Sequence, residues 1–284
     1  MKRVRLSLFF ILLTAAVSQA QVAGSAAQDY LQRGLASLKK GDVDGAIAFY
    51  NKAIAADPNF TGAYINRGTA KEKKGDVSGA IADYTKAIKL EPGNIFAYHD
   101  RGSAYQRAGN LDAALADYDR VIKIRSDFSP AYMQRGIVRQ KKGDLEGALA
   151  DFDKAIKLDP KSATGAYILR GKLRKDRGDL EGAIADYTTF IERNPESYAA
   201  YNNRGTARQA KGDLEGAVAD FTKVIQLKPD LLLAYSNRGV ALLLQGKDAE
   251  AQKDFDKYLE LAPQSKASLE ELIKKTKEQR KLQQ

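Results

Sequence analysis

The chain of 284 residues contains no cysteine, and that absence closes several routes at once. Disulfides, thiolate metal sites, a cysteine nucleophile and lipid attachment through a cysteine are excluded. Histidine is almost absent too. His99 stands alone, so imidazole acid–base chemistry or a histidine metal site lacks a second member. No glycine-rich phosphate loop follows a strand, and no strand pattern is found. The chain therefore reads as a non-enzyme, with no cofactor and no metal expected. The few prolines, seven in all, and the glycines fall at regular intervals, and those intervals carry the rest of the reading.

The first twenty residues stand apart from the body. Met1 to Arg5 is a short basic head, Leu6 to Val17 is an apolar run, and Ser18-Gln19-Ala20 supplies small residues before a cut. That order describes a secretory signal peptide, and its apolar run is shorter than the roughly 17–25 residues of a spanning helix. Cleavage is expected after Ala20, followed by a short linker over 21–26. The mature protein would then be periplasmic or secreted, with no stable membrane span, and without a cysteine it is not a lipoprotein. Loss of Lys2, Arg3 and Arg5 leaves a net charge of +7 in place of +10. That mild excess does not describe a nucleic-acid binder.

A Gly-Asp step or its equivalent recurs at Gly41, Gly75, Gly109, Gly143, Gly178, Gly212 and Gly246, at spacings of 34, 34, 34, 35, 34 and 34 residues. A fixed period of this length is the mark of a solenoid. Seven units follow: 27–60, 61–94, 95–128, 129–162, 164–197, 198–231 and 232–265, with one extra residue near Ala163. Each reads as two helices. In the second unit Tyr64, Gly68 and Lys71 fall at helical spacing, Gly75-Asp76 interrupts, and Ala80, Tyr84 and Ala87 continue the period up to Pro92. The glycine supplies a left-handed cap and the aspartate an N-cap. Proline recurs at Pro58, Pro160, Pro195, Pro229 and Pro263, while Ser126 replaces it once and is expected to loosen that junction.

A second glycine sits inside every first helix: Gly34, Gly68, Gly102, Gly136, Gly171, Gly205 and Gly239. Each costs about 1 kcal/mol relative to alanine, so a close approach by the partner helix must repay it. Ala46, Ala80, Ala114, Ala148, Ala183, Ala217 and Ala251 are expected to sit opposite.

The set Tyr64, Gly68, Ala80, Tyr84, Ala87 and Pro92, repeated at 34-residue spacing over 27–265, resembles the tetratricopeptide repeat family. The resemblance implies an all-α, right-handed α-solenoid of helix-turn-helix units, whose concave groove binds peptides or protein segments. One departure is systematic. Where the family carries a large apolar residue before the glycine, this sequence has Arg33, Arg67, Arg101, Arg135, Arg170, Arg204 and Arg238. Sixteen residues later stand Asp83, Asp117, Asp151, Asp186, Asp220 and Asp254, with Phe49 in the first unit. Facing cations and anions suggest a structural ladder of charge pairs.

Transferring the family's groove positions selects Ile65, Thr69, Phe96, His99, Ser103, Met133, Ile137, Ile168, Lys172, Asn202, Thr206, Ser236 and Val240. Some of these could equally fill contacts between repeats. The acidic-tail clamp known in the family is not matched, because Leu31, Leu35, Ile65 and Thr69 occupy its key places. Basic residues also gather at the turns, at Lys39-Lys40, Lys73-Lys74, Lys141-Lys142, Arg174-Lys175 and Lys211. Beyond Pro263, the stretch 266–284 reads as an amphipathic capping helix that frays into a basic tail of Lys274, Lys275, Lys277, Arg280 and Lys281. The function expected is a protein–protein interaction scaffold of the bacterial cell envelope that binds a peptide or protein segment, with a monomer favoured. The alternative is a self-assembling structural repeat protein, suggested by Leu231-Leu232-Leu233 and Leu242-Leu243-Leu244.

Overall fold

The computed structural model describes residues 24–283, so the expected signal segment and its cleavage site lie outside the described residues. The described residues form fifteen α-helices and one short 3-10 turn, Pro263–Ser265, with no strand among them. Two compact units are distinguished, one ending at Asp144 and one beginning at Leu145. The first holds α1 (24–39), α2 (Val43–Ala56), α3 (Thr61–Lys74), α4 (Val77–Leu90), α5 (Ile95–Arg107), α6 (Leu111–Ile124) and α7 (Ser129–Lys141). The second holds α8 (Leu145–Leu158), α9 (Thr164–Asp176), α10 (Leu180–Arg193), α11 (Tyr198–Lys211), α12 (Leu214–Leu227), α13 (Leu232–Leu244), α14 (Asp248–Leu261) and α15 (Lys266–Gln283). Within each unit the hairpins stack in chain order: α2 packs on α3, α4 on α5 and α6 on α7, then α8 on α9, α10 on α11 and α12 on α13. The fold is thus an all-α solenoid of helical hairpins. Helix already occupies 24–26, where a linker is expected, because Ala27 is buried and draws the preceding turn into α1.

The hairpin turn follows from two residues. Gly75 has φ +90°, a conformation that penalises any residue with a Cβ. The next residue, Asp76, caps α4 by accepting the Gly79 amide at 2.8 Å, and this bond holds its carboxyl below the usual pKa. The seventh hairpin has Lys247 there and makes no side-chain cap.

The helix-interior glycines face aromatic rings, not the alanines expected from the sequence. A Cβ on Gly68 would stand 2.7 Å from Tyr84 Cε1, and one on Gly205 2.7 Å from Phe221 Cε1. Tyr84 and Phe221 are fully buried in these notches. Burying a large apolar side chain stabilises by about 1.5–3 kcal/mol, which exceeds the glycine penalty of about 1 kcal/mol. The alanines serve a different contact. Ala80 clusters with Tyr84 and with Ala104 of the next hairpin, and Ala217 with Phe221 and Ala241.

The arginine–aspartate ladder is present and has three parts. Arg101 donates through Nε and Nη2 to the two Asp117 carboxylate oxygens at 2.8 and 2.7 Å. The same bidentate pairing joins Arg67 to Asp83, Arg170 to Asp186, Arg204 to Asp220 and Arg238 to Asp254. The remaining Nη1 reaches back to the second helix of the preceding hairpin. Its acceptors are Asn51 for Arg67, Thr85 for Arg101, Asp119 for Arg135, Asp153 for Arg170, Thr188 for Arg204 and Thr222 for Arg238. The guanidinium also lies over the tyrosine three residues earlier, as Arg67 does over Tyr64 at 5.5 Å. An arginine therefore replaces a large apolar residue because it pins its own hairpin and the previous one together. The Asp117 carboxylate correspondingly raises the Arg101 pKa.

Two further expectations need revision. At the Ser126 junction, the Tyr132 hydroxyl donates to the Ser126 carbonyl at 3.0 Å, as Tyr64 and Tyr235 donate to the Pro58 and Pro229 carbonyls. The bond needs only a backbone oxygen, so serine retains it. Nor does the C-terminal segment fray, since α15 continues to Gln283. Leu269 is buried with Leu242, Leu243 and Phe255, and Arg280 donates to the Leu243 carbonyl at 2.8 Å and to Asp248 at 2.7 Å.

Candidate functional site

In the unit ending at Asp144, the residues expected to bind lie along the first helices α3, α5 and α7. They do not form one equivalent row. Phe96 projects furthest, at 56% exposure, and stands edge-on to Phe128 with ring centroids 6.1 Å apart. Arg125 covers Phe128 at 4.5 Å and reaches Phe96 at 5.7 Å. His99 is edge-on to both Phe128 and Tyr118 at 5.8 Å, and its Nδ1 lies 3.1 Å from the Asp100 carboxylate. Ser103, Met133 and Ile137 are half-buried on the same helices. Ile65 instead packs against the Ala80–Tyr84–Ala104 cluster, and the Thr69 hydroxyl turns back to the Ile65 carbonyl and Tyr84. Sequence reasoning missed Arg125 and Phe128. Their signal was a phenylalanine at an N-cap position, where Phe128 makes no side-chain cap bond.

Behind this aromatic group lies a polar layer. The Tyr84 hydroxyl donates to Glu72 at 3.0 Å, and Arg107 approaches the other Glu72 oxygen at 3.5 Å. Burial raises the Glu72 pKa, against the opposing pull of Tyr84 and Arg107. Burial likewise raises the pKa of Tyr84 and of Tyr118. Tyr118 Oη and His99 Nε2 are buried with no hydrogen-bond partner among the described residues. The arrangement offers an aromatic, partly polar surface and no paired acid and base near a reactive group. Among the described residues no group of three His, Cys, Asp or Glu side chains could hold a metal ion.

One turn beyond Leu35, Thr69, Ser103 and Ile137, on the same helix stripe, stand Lys39, Lys73, Arg107 and Lys141, all exposed. At the second and fourth turns the structure separates the paired lysines. The second member is used in the stack: Lys74 pairs with Asp44 at 2.6 Å, and Lys142 pairs with Asp112. The first member, at Lys39, Lys73 and Lys141, makes no ion pair among the described residues.

In the unit beginning at Leu145 the same positions differ. Ile168 packs on the Ala183–Tyr187–Ala207 cluster. Ser236 is buried at 7% exposure and bonds the Leu233 carbonyl, so it is no surface residue. The expectation of a groove residue fails here because the short side chain folds back on its own helix. Asn202 accepts from Asn237 at 3.0 Å, Lys172 is exposed and Val240 is half-buried. Thr206 lines a cleft of about 460 Å³ with Gln209, Lys211, Leu214, Leu244 and Gln279. No helix among the described residues is long and apolar enough to cross a membrane.

Comparison with known proteins places these hairpins. Models described as tetratricopeptide repeat match residues 97–128, 129–162, 168–231 and 232–265, and a further TPR repeat model matches 34–75 and 73–109. A search of the curated proteins found no match. Among solved structures, a tetratricopeptide repeat protein from Parabacteroides merdae is 25% identical, with TM-score 0.60 over 89% of this chain and 99% of its own. Pseudomonas aeruginosa pilF is 17% identical, with TM-score 0.66 over 80% and 99%. YrrB, described as a TPR protein with an unusual peptide-binding site, is 24% identical, with TM-score 0.54 over 65% and 95%. With the hairpin notches, the turns and the matches agreeing across residues 34–265, this chain belongs to the tetratricopeptide repeat family.

Proposed function

We propose that the protein is a non-catalytic interaction scaffold of the bacterial cell envelope that binds a peptide or protein segment on the first-helix face of the unit ending at Asp144. The observation that carries this reading is the exposed Phe96 beside Phe128 and His99. A large aromatic left open on a face that also carries half-buried Met133 and Ile137 is the kind of anchor point that binding surfaces concentrate. The envelope location rests on the basic head, apolar run and Ser18-Gln19-Ala20 at the start of the chain.

A pull-down from an envelope fraction tests the reading, using the mature protein and a Phe96→Ala, Met133→Ala, Ile137→Ala variant. The variant should lose the captured partner while keeping the helical content of the parent. An unchanged set of captured proteins would remove the site from this face. Fractionation of cells expressing the full chain tests the location, with release of a shortened protein from the periplasm as the expected result.

End-to-end assembly has weaker support. Leu242 and Leu243, which would offer an apolar end, are already covered by α15. Ile273 occupies the place on α15 that glycine holds in each preceding first helix, so an aromatic ring could not seat there.

A further inference from the structure

We infer that the first-helix face binds a lysine side chain of the partner segment, with its ammonium seated on Asp100 and its stem against Phe96. This rests on the proposed peptide-binding reading and specifies its ligand. Phe96 and Asp100 stand one turn apart on the same stripe of α5, where residues four apart are separated by about 6 Å. Both are open to solvent, Asp100 with 35% of its side chain exposed. The flexible four-carbon stem of a lysine reaches from one to the other.

The repeat does not ask for an acid at this place. The same position on α3 and α7 is Asn66 and Gln134, and the position of Glu72 is Gln106 and Gln140 on α5 and α7. Asp100 Oδ1 lies 3.1 Å from His99 Nδ1, and among the described residues Asp100 pairs with no lysine or arginine. Behind it Tyr118 is fully buried, and its hydroxyl has no hydrogen-bond partner among the described residues. Burial, and then the Asp100 carboxylate, raise the Tyr118 pKa, so the hydroxyl stands in the field of that acid. Glu72 is 8% exposed, accepts from Tyr84 through Oε2, and has no hydrogen-bond partner at Oε1 among the described residues. Two cations stand nearby. Arg107 lies 3.5 Å from Glu72 with 54% of its side chain exposed, and Arg125 is engaged with the rings of Phe128 and Phe96. Neither pairs with Asp100. A carboxylate ligand would be repelled by Asp100, whereas a cation with several donors is attracted to it. Because one Asp100 oxygen already faces His99, the compact ammonium suits the site better than a guanidinium fork, which uses both oxygens.

The test follows the imidazole resonances of His99, the only histidine of the chain, by NMR of the mature protein at neutral pH. The probes share one stem and differ at the head: hexylammonium, hexylguanidinium, hexanol and hexanoate. Hexylammonium should shift the His99 signals to saturation, and the guanidinium should do so more weakly. Hexanol and hexanoate should leave them nearly unmoved. Asp100→Asn should weaken hexylammonium binding about fivefold, the equivalent of roughly 1 kcal/mol for a partly exposed ion pair. Asn66 already occupies this position on α3, so the variant should keep the parent Tm. Equal responses to hexylammonium and hexanol, or a stronger response to hexanoate or the guanidinium, would overturn the inference. So would equal hexylammonium affinity of parent and variant. If the Phe96→Ala, Met133→Ala, Ile137→Ala variant loses the envelope partner but Asp100→Asn does not, only the lysine ligand is rejected. If neither variant loses it, the peptide-binding face itself is rejected.

Discussion

The unit ending at Asp144 and the unit beginning at Leu145 are built from the same hairpin, yet they differ where the hairpin does not need a particular residue. The notch, the left-handed turn and the bidentate arginine recur in both. At the end of the first helices, however, Lys39, Lys73, Arg107 and Lys141 of the first unit correspond to Asp176, Ala210 and Leu244 of the second. The first unit leaves Phe96 open and the second leaves Leu233 open at the equivalent position, but Ser236 is buried where the first unit has half-buried His99, and Thr206 lines a cleft beside Gln279 of α15. Repetition marks what the fold requires, and the departures from repetition mark where a ligand can be distinguished.

The strongest test of this contrast removes one rung of the ladder. Asp220 is 2% exposed and accepts from both Arg204 and Arg208. Asp220→Ala strands two guanidinium groups and should destabilise the second unit by about 3–5 kcal/mol. Arg33→Ala should change stability by less than about 1 kcal/mol. Phe49 stands where the aspartate would be, and among the described residues Arg33 pairs only with Asp29 at the surface. Hydrogen exchange resolved along the chain would read both, and similar losses for the two variants would break the ladder account.

A smaller effect is expected at the C-terminal cover. Leu269→Ala should cost about 2–4 kcal/mol through the cavity left among Leu242, Leu243 and Phe255. In a repeat array each hairpin depends chiefly on its neighbours. Faster exchange should therefore be confined to α13, α14 and α15, with α1 to α5 unchanged. Spread of the effect through the chain would show tighter coupling than nearest-neighbour stacking.

The smallest effect concerns Glu72, whose equivalents in the second unit are Lys175, Gln209 and Leu243, none of them acidic. Because burial raises the Glu72 pKa, the folded state favours the protonated carboxyl. Its contribution is retained at pH below the usual carboxylate value and lost as pH rises through the raised pKa. Glu72→Gln should therefore increase Tm at pH 7, and the gain should vanish near pH 4. A gain of the same size at both values would assign the effect to packing instead of ionisation.

Much of this was legible in the residues because a repeat reports each requirement many times. The 34-residue period and the Gly-Asp turns show directly which residues break and restart helices, and Arg67 with Asp83 announced the ladder from its constant separation. Individual contacts were less legible. Ala80 and Tyr84 lie four residues apart on the same buried stripe of α4, so periodicity alone could not say which one fills the notch at Gly68. The surface was harder still. Ile65 and Phe96 both come from positions assigned to the groove, but one is drawn into a neighbouring cluster and the other stands open.

The sequence by itself determined the all-helical class, the number and phase of the hairpins, and the matched charges, since helix period, glycine turns and proline stops act within a few residues of the chain. Only the tertiary structure decided that aromatic rings, not alanines, occupy the glycine notches, and that every ladder arginine after Arg33 also grips the hairpin before it. It also decided that Lys74 and Lys142 are taken up in ion pairs while Lys73 and Lys141 beside them are not. These outcomes depend on which side chain reaches an adjoining helix first, and that is set by packing across hairpins about thirty residues apart in sequence.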